Sequence, residues 1–321
     1  MLKLQFKVSD FFRNLSWRDN IVYIAFIFVF IFFAISLSDA GFLTAGNLMS
    51  IARQTAMITI MAVAMTFVIS TGEIDLSVGS TAALSAMTTA LTLQAGMGMI
   101  AAIIVGLGTG LIIGAINGLL VSRVLIPSFL VTLAMMEIGR GLAMWITGTA
   151  PVPILHDTYI FLFGSGEVLG IPVLLIWTII IAIIGFILLN KTPFGRQTLA
   201  TGGNEKAALF TGIKTRRIKL SVFIFSGLMA GLAGMLYAGR LEAGRYTFGE
   251  GDELSVIAAV ILGGTSLFGG VGTVVGTVIG SIMIGTINNG LILMGLEVSQ
   301  QMFVLGVIII LAVAFGKKSK A

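Results

Sequence analysis

Residues 173–189 read VLLIWTIIIAIIGFILL, without a single charged position. With its flanks this stretch is long enough to cross a bilayer, which takes about 20 mostly apolar residues in a helix. Hydrocarbon offers no partner to backbone N–H and C=O groups, so a lone apolar run of this length crosses as a helix, which bonds them internally. Residues 21–37, IVYIAFIFVFIFFAISL, repeat the pattern. Working outward, the rest of the chain has the same character. Of its 321 residues, 57% are hydrophobic and 10% charged. A soluble domain carries about 25% charged residues. Too little polar surface is encoded to face water, and a bilayer is the solvent that fits. The sequence therefore predicts an all-α, polytopic membrane protein.

Ten spans are expected, at 20–38, 51–70, 79–95, 98–122, 128–147, 171–190, 219–239, 253–268, 273–294 and 299–316. The third and eighth border polar, glycine-rich breaks, STGEIDLSVGS at 70–80 and GGTSLFGGVGT at 263–273. Irregular backbone at membrane depth must be covered by protein or line a cavity. Basic residues orient the chain, because cytoplasmic loops carry the excess of Lys and Arg. Fourteen of the nineteen lie in residues 1–19, 191–219 and 317–321. An even number of spans puts all three segments on the cytoplasmic side, and the Lys- and Arg-free 148–170 segment outside. Residues 1–321 read as one transmembrane domain, with a cytoplasmic N-terminal segment at 1–19, a loop at 191–218 and a tail at 317–321. The first span is expected to be retained rather than cleaved as a signal peptide.

Ile113-Gly114-Ala115-Ile116-Asn117 resembles Ile284-Gly285-Thr286-Ile287-Asn288. The two lie in spans that run in opposite directions, which makes inverted five-helix repeats a candidate plan. The 41 glycines sit inside apolar runs, where small residues let helices approach closely.

Several chemistries are excluded. With no cysteine and one histidine, His156, neither a metal site nor a Cys nucleophile is expected. A hydrolase needs nucleophile, base and orienting group together, and His156 beside Asp157 does not supply them. The net charge of +5 is confined to particular loops and gives topology, not nucleic-acid binding.

The 190–219 loop carries the most local information. Thr201-Gly202-Gly203-Asn204 reads as a turn, with Asn204 as N-cap of a following helix. Glu205 in the first turn suits the helix dipole. Ala207, Ala208, Leu209 and Phe210 continue it, and Gly212 ends it at C′. About two turns of helix are marginal alone in water, so this one needs a surface to rest on, either lipid headgroups or a partner protein.

Glu73 and Asp75, at the end of the second span, are candidate path residues, since carboxylates at membrane depth are costly. Asp75 also suits a structural role, capping the next helix through the N–H groups of Ser77 and Val78. Glu137 and Arg140 stand at i,i+3 and are expected to neutralise one another. Asn117, Asn288 and Asn289 suit sugar hydroxyls, because amides donate and accept, and suit helix packing equally well.

Gly202-Gly203-Asn204-Glu205-Lys206-Ala207-Ala208-Leu209-Phe210-Thr211-Gly212-Ile213 resembles the GGN-xx-AA-xxx-G motif of the ribose/galactose/arabinose-type ABC sugar permeases. Lys191-Thr192-Pro193-Phe194-Gly195-Arg196 resembles that family's KT-x-FGR stretch. Residues 72–80 are similar to its IDLSVGS segment, residues 253–267 to its IAAVVLGGTSL run, and Asn288-Asn289-Gly290-Leu291 to its NNGL. The likeness runs from about Leu43 to the end in the family's order. Glu73 departs from it, standing where a neutral residue is expected.

The resemblance implies the permease of an importer in a bacterial inner membrane, paired with an identical or related permease. Its expected partners are two ATPase subunits or a fused one, and an extracytoplasmic sugar-binding protein. The 204–212 helix would contact the ATPase. The chain has no GxxxxGK[ST] phosphate loop, so ATP and Mg are expected on that partner and no cofactor on this chain. A proton- or sodium-driven transporter and a same-superfamily permease for nucleosides or branched-chain amino acids are the rivals.

Overall fold

The computed structural model describes residues 17–315. Residues 1–16 of the expected N-terminal segment, the expected 317–321 tail and position 316 of the tenth expected span lie outside them. Helices dominate: α1 (Trp17–Ser36), α2 (Ala45–Ser70), α3 (Val78–Gln94), α4 (Met99–Leu119, prolonged by a π-turn over Leu120–Val124), α5 (Ser128–Trp145), the one-turn α6 (Asp157–Ile160), α7 (Val173–Lys191), α8 (Pro193–Gly203), α9 (Glu205–Phe210), α10 (Thr215–Arg240), α11 (Asp252–Leu262), α12 (Val274–Leu293) and α13 (Val298–Phe315). Five of them are long and apolar enough to cross a membrane: α2, α4 with its extension, α7, α10 and α12.

Two 26-residue helices form the centre, α2 and α10. A helix that is hydrophobic all round is buried, and α2 is buried at every position from Thr55 to Ser70. It packs against α7, α10, α11 and α12, while α10 packs against α3 and α4. The α4–α10 seam is made of glycine. Gly106, Gly110, Gly114 and Gly118 recur every fourth residue, on one face of α4. A Cβ on Gly110 would stand 2.2 Å from the Gly227 carbonyl oxygen, and one on Gly227 would stand 2.2 Å from the Gly110 oxygen. Hydroxyls join the other seams: Thr59 to Ser281 and Thr66 to Thr277, each at 2.8 Å, tie α2 to α12.

On the face opposite α9, β1 (Val152–Pro153) pairs antiparallel with β4 (Ala243–Gly244), while β2 (Glu167–Val168) and β3 (Ile171–Pro172) form a small hairpin.

Two elements differ from the sequence reading. The eighth expected span stops at Leu262 instead of 268. Gly263 and Gly264 follow, and Gly264 has φ +91°, a left-handed conformation that ends a helix and favours glycine. The loop at 190–219 holds two helices rather than one. Pro193 at the first turn, with Thr192 capping the Gly195 N–H, starts α8.

Candidate coupling site

The short helix α9 forms where its caps dictate. The Asn204 N–H closes α8 on the Ala200 carbonyl at 3.2 Å, while its side-chain oxygen accepts from the Ala207 N–H at 3.0 Å. One residue thus ends one helix and starts the next. At the other end Gly212 has φ +87°. Its N–H donates to the Leu209 carbonyl and the Ile213 N–H to that of Ala208, both at 3.0 Å, which is the Schellman arrangement.

Gly202 and Gly203 are not turn residues. They form the last turn of α8. A Cβ on Gly202 would meet the Ser70 carbonyl oxygen at 1.9 Å and the Gly270 nitrogen at 2.8 Å. Glycine is required there by close backbone approach, not by turn geometry. Gly270 also donates its N–H to the Ser70 carbonyl at 3.0 Å. The end of α8, the end of α2 and the 263–273 break are therefore one backbone-to-backbone junction directly beside α9.

The outer surface of α9 is apolar at its tip. Phe210 is 93% and Leu209 53% exposed. Ala207 is exposed, but Ala208 is buried against the chain's own residues. Adjacent helical residues point about 100° apart, so of the two alanines only Ala207 faces out.

Glu205 links α9 to the membrane domain. Lys219 Nζ, at the base of α10, lies 2.8 Å from Glu205 Oε2 and 2.8 Å from Glu73 Oε1. The Lys219 and Glu73 side chains are only 14% and 15% exposed. Burial tends to raise the Glu205 carboxyl, but its hydrogen bond and charge pairing with Lys219 hold it below the usual carboxylate range. Glu73, whose role the sequence left open, thus partners a lysine 146 positions away in the chain.

Two residues further on, Asp75 is buried. It accepts from the Ser77 N–H at 3.0 Å, the Ser77 hydroxyl at 2.7 Å and the Ser226 hydroxyl at 2.8 Å. Asn117 Nδ2 donates to Ser77 Oγ at 2.9 Å. Of the two N–H groups expected to be capped, Asp75 takes that of Ser77 and not that of Val78, just ahead of α3, and through Ser226 it ties the 71–77 break to α10. Asn289 and Asn47 exchange two hydrogen bonds at 2.9 and 3.0 Å, joining α12 to α2. Asn288 keeps a buried carbonyl oxygen without a partner among the described residues. The candidate path residues are thus dispersed. Glu73, Asp75 and Asn117 gather near α9, while Asn288 and Asn289 sit towards the other end of α12.

Glu137 and Arg140 form no hydrogen bond or salt bridge, and the Glu137 charge acts on the guanidinium only through space. Arg140 Nη1 donates instead to the Phe248 carbonyl at 2.7 Å and to that of Tyr246. Glu137 stays exposed halfway along α5, with no hydrogen bond or ion pair among the described residues. Spacing alone could not reveal this, because the carbonyls that draw Arg140 away come from a segment over 100 residues later.

Among the described residues the site holds two ion pairs, both made by Lys219. The profile of branched-chain amino acid transport system permease components matches residues 47–313. Among curated proteins, the chain is 45% identical over 288 residues to the ribose import permease protein RbsC of Bacillus subtilis, covering 89% of each chain. It is 40% identical to the Escherichia coli K12 ribose import permease protein over 290 residues, 89% of this chain and 90% of that one. It is 38% identical to the L-arabinose ABC transporter permease protein AraH of Azospirillum brasilense over 295 residues, 92% of this chain and 86% of that one. No solved structure matches. With a profile that spans most of its length and relatives this similar over 89% or more of it, the chain belongs to the family of transport-system permease components of ATP-binding-cassette importers.

Proposed function

We propose that this chain is the membrane-spanning, non-catalytic permease subunit of an ATP-driven importer of a neutral monosaccharide, ribose or a close analogue. The observation that carries the reading is α9, a helix capped at both ends, bearing an exposed Leu209–Phe210 tip. A free aromatic on so short a helix suits a hydrophobic pocket on a partner. Lys219 then carries any movement of α9 to Glu73 and the 71–77 break. The partner is an ATPase, two subunits or one fused chain, holding the ATP and Mg. An extracytoplasmic binding protein delivers the sugar, and the permease works in pairs. Residues Gly202, Gly203, Asn204, Glu205, Ala207, Ala208 and Gly212 build the coupling element. The relatives' names, two for ribose and one for L-arabinose, support a sugar as cargo.

The finer architecture is ten spans in two inverted sets of five, α1–α5 and α7 with α10–α13, both termini cytoplasmic. Three features support it. The second helix of each set has 26 residues. Each of these is followed by a non-helical break, at 71–77 and 241–251. Finally, α4 packs on α10 as α12 packs on α2, which are equivalent pairs under exchange of the sets.

The test is reconstitution in vesicles with the ATPase and binding protein expressed from the same source. Uptake of ribose, L-arabinose or allose should require ATP and survive collapse of the ion gradients. Uptake that follows a proton or sodium gradient without ATPase would refute the reading. Uptake of leucine or a nucleoside in preference to every sugar would reassign the cargo.

A further inference from the structure

We infer that Glu137 is a substrate-contacting residue on the path through the membrane, accepting hydrogen bonds from the hydroxyls of a neutral polyol. The inference rests on the reading of the chain as a sugar permease and adds a contact that none of the motifs identifies. Glu137 is the tenth residue of the eighteen in α5. At about 1.5 Å per residue it stands about 14 Å along a helix of about 27 Å, which on the proposed ten-span architecture is close to mid-depth. The inward face of α5, with Thr132, Met135, Gly139 and Ala143, is buried, and Gly139 abuts Ser80 of α3. Glu137 lies on the other face, centred among exposed Leu130, Leu133, Ile138 and Leu142.

What covers this face must donate hydrogen bonds to a carboxylate. Lipid tails cannot, nor can a purely apolar protein surface. Arg140, the nearest cation in sequence, spends its Nη1 on the Phe248 and Tyr246 carbonyls and reaches Glu137 by charge through space without donating to it. An ionised carboxylate is acceptor-only and takes two donors side by side. Adjacent hydroxyls on a sugar ring supply such a pair without bringing an opposite charge that would hold the cargo too tightly to leave. Ala134 and Gly141, about one turn to either side, leave space over the carboxylate, and a Cβ on Gly141 would meet no atom within 4 Å. Asp75, Asn289 and the Asn117 amide nitrogen are engaged inside the chain, while the side-chain oxygens of Asn117 and Asn288 are buried without a partner among the described residues. The same charge would repel sugar phosphates and sugar acids, so the cargo class is neutral polyols.

The chain has no cysteine, so Glu137→Cys gives a single reporter. In the assembled complex, cycling with ATP, this thiol should react with a small charged methanethiosulfonate reagent, and excess sugar should slow the reaction. Glu137→Leu and the isosteric Glu137→Gln should each lower the rate of uptake of whichever sugar the wild-type complex imports by about tenfold or more, with ATP hydrolysis and complex yield retained. A thiol that stays inert throughout the cycle would mean burial in a subunit interface or lipid and overturns the proposal. So would a reactive thiol together with wild-type uptake by Glu137→Gln. Either result leaves the permease reading standing, because that reading is judged on the wild-type complex alone.

Discussion

Lys219 is the residue on which most of the coupling geometry converges, since it holds Glu205 of α9 and Glu73 of the membrane break at once. Replacing it with Met keeps the length and removes both pairs. Stranding two partly buried carboxylates should cost about 2 kcal/mol, below the figure for a fully buried pair because Glu205 is 42% exposed. The expected outcome is ATP hydrolysis near the wild-type rate with several-fold less sugar moved per ATP, read by measuring both in the same vesicles. Unchanged stoichiometry would make the bridge merely structural. The pH dependence follows from the sign of the Glu205 shift. A carboxyl held below its ordinary value contributes its stability above the unfolded pKa and loses it as pH falls through the folded one. The stoichiometry should therefore stay level from neutral pH down to the ordinary carboxylate range and fall only in more acid medium. A decline already near pH 6 would assign the sensitivity to another group. Glycine at the α4–α10 seam makes a second residue-scale test. Gly110→Ala pushes a methyl to 2.2 Å from a carbonyl oxygen, while Gly108→Ala meets nothing within 4 Å. Overpacking of this kind costs about 1–3 kcal/mol. Gly110→Ala should lower the melting temperature in detergent, and Gly108→Ala should not.

At the scale of elements, α9 was the most legible part of the sequence. Its N-cap Asn204, first-turn Glu205 and C′ Gly212 are local signals, and each stands where capping chemistry puts it. Its outward face was not legible. Alternation between Ala207 outside and Ala208 inside depends on what lies beneath the helix, which the helix's own residues do not say. The same limit governed Gly202 and Gly203, whose glycine character reads equally as a turn or as close packing until Ser70 and Gly270 arrive from elsewhere in the chain. It governed Glu137 too, where an i,i+3 partner was visible and the competing carbonyls were not. Long apolar runs, by contrast, announce helices without reference to their neighbours. With Phe210 as the exposed tip, Phe210→Ala should weaken co-purification with the ATPase by about tenfold or more. Ala207→Arg should do the same by obstructing the contact. Lys206→Ala, on the same helix, should change little. Wild-type co-purification of Phe210→Ala would remove α9 from the interface.

For the whole molecule, orientation is the property on which every other reading depends. Leu169 is 97% exposed in the segment opposite α9. In intact cells Leu169→Cys should react with an impermeant thiol reagent and Lys206→Cys should not. Reaction at position 206 from outside would invert the topology and detach α9 from any cytoplasmic ATPase.

The glycine seams have a mechanical corollary. Where carbonyl oxygens already stand at the distance of a missing Cβ, two helices have no slack to slide into or compress. With α4 clamped to α10 in this way and α2 to α12 through hydroxyl ties, the protomer is stiff. A stiff body passes a push at one end to the other as tilt, not as local deformation. If the permease works in pairs as proposed, the opening and closing of the route would then belong to the rocking of one subunit against its mate, with the wall that carries Glu137 travelling as part of the swing.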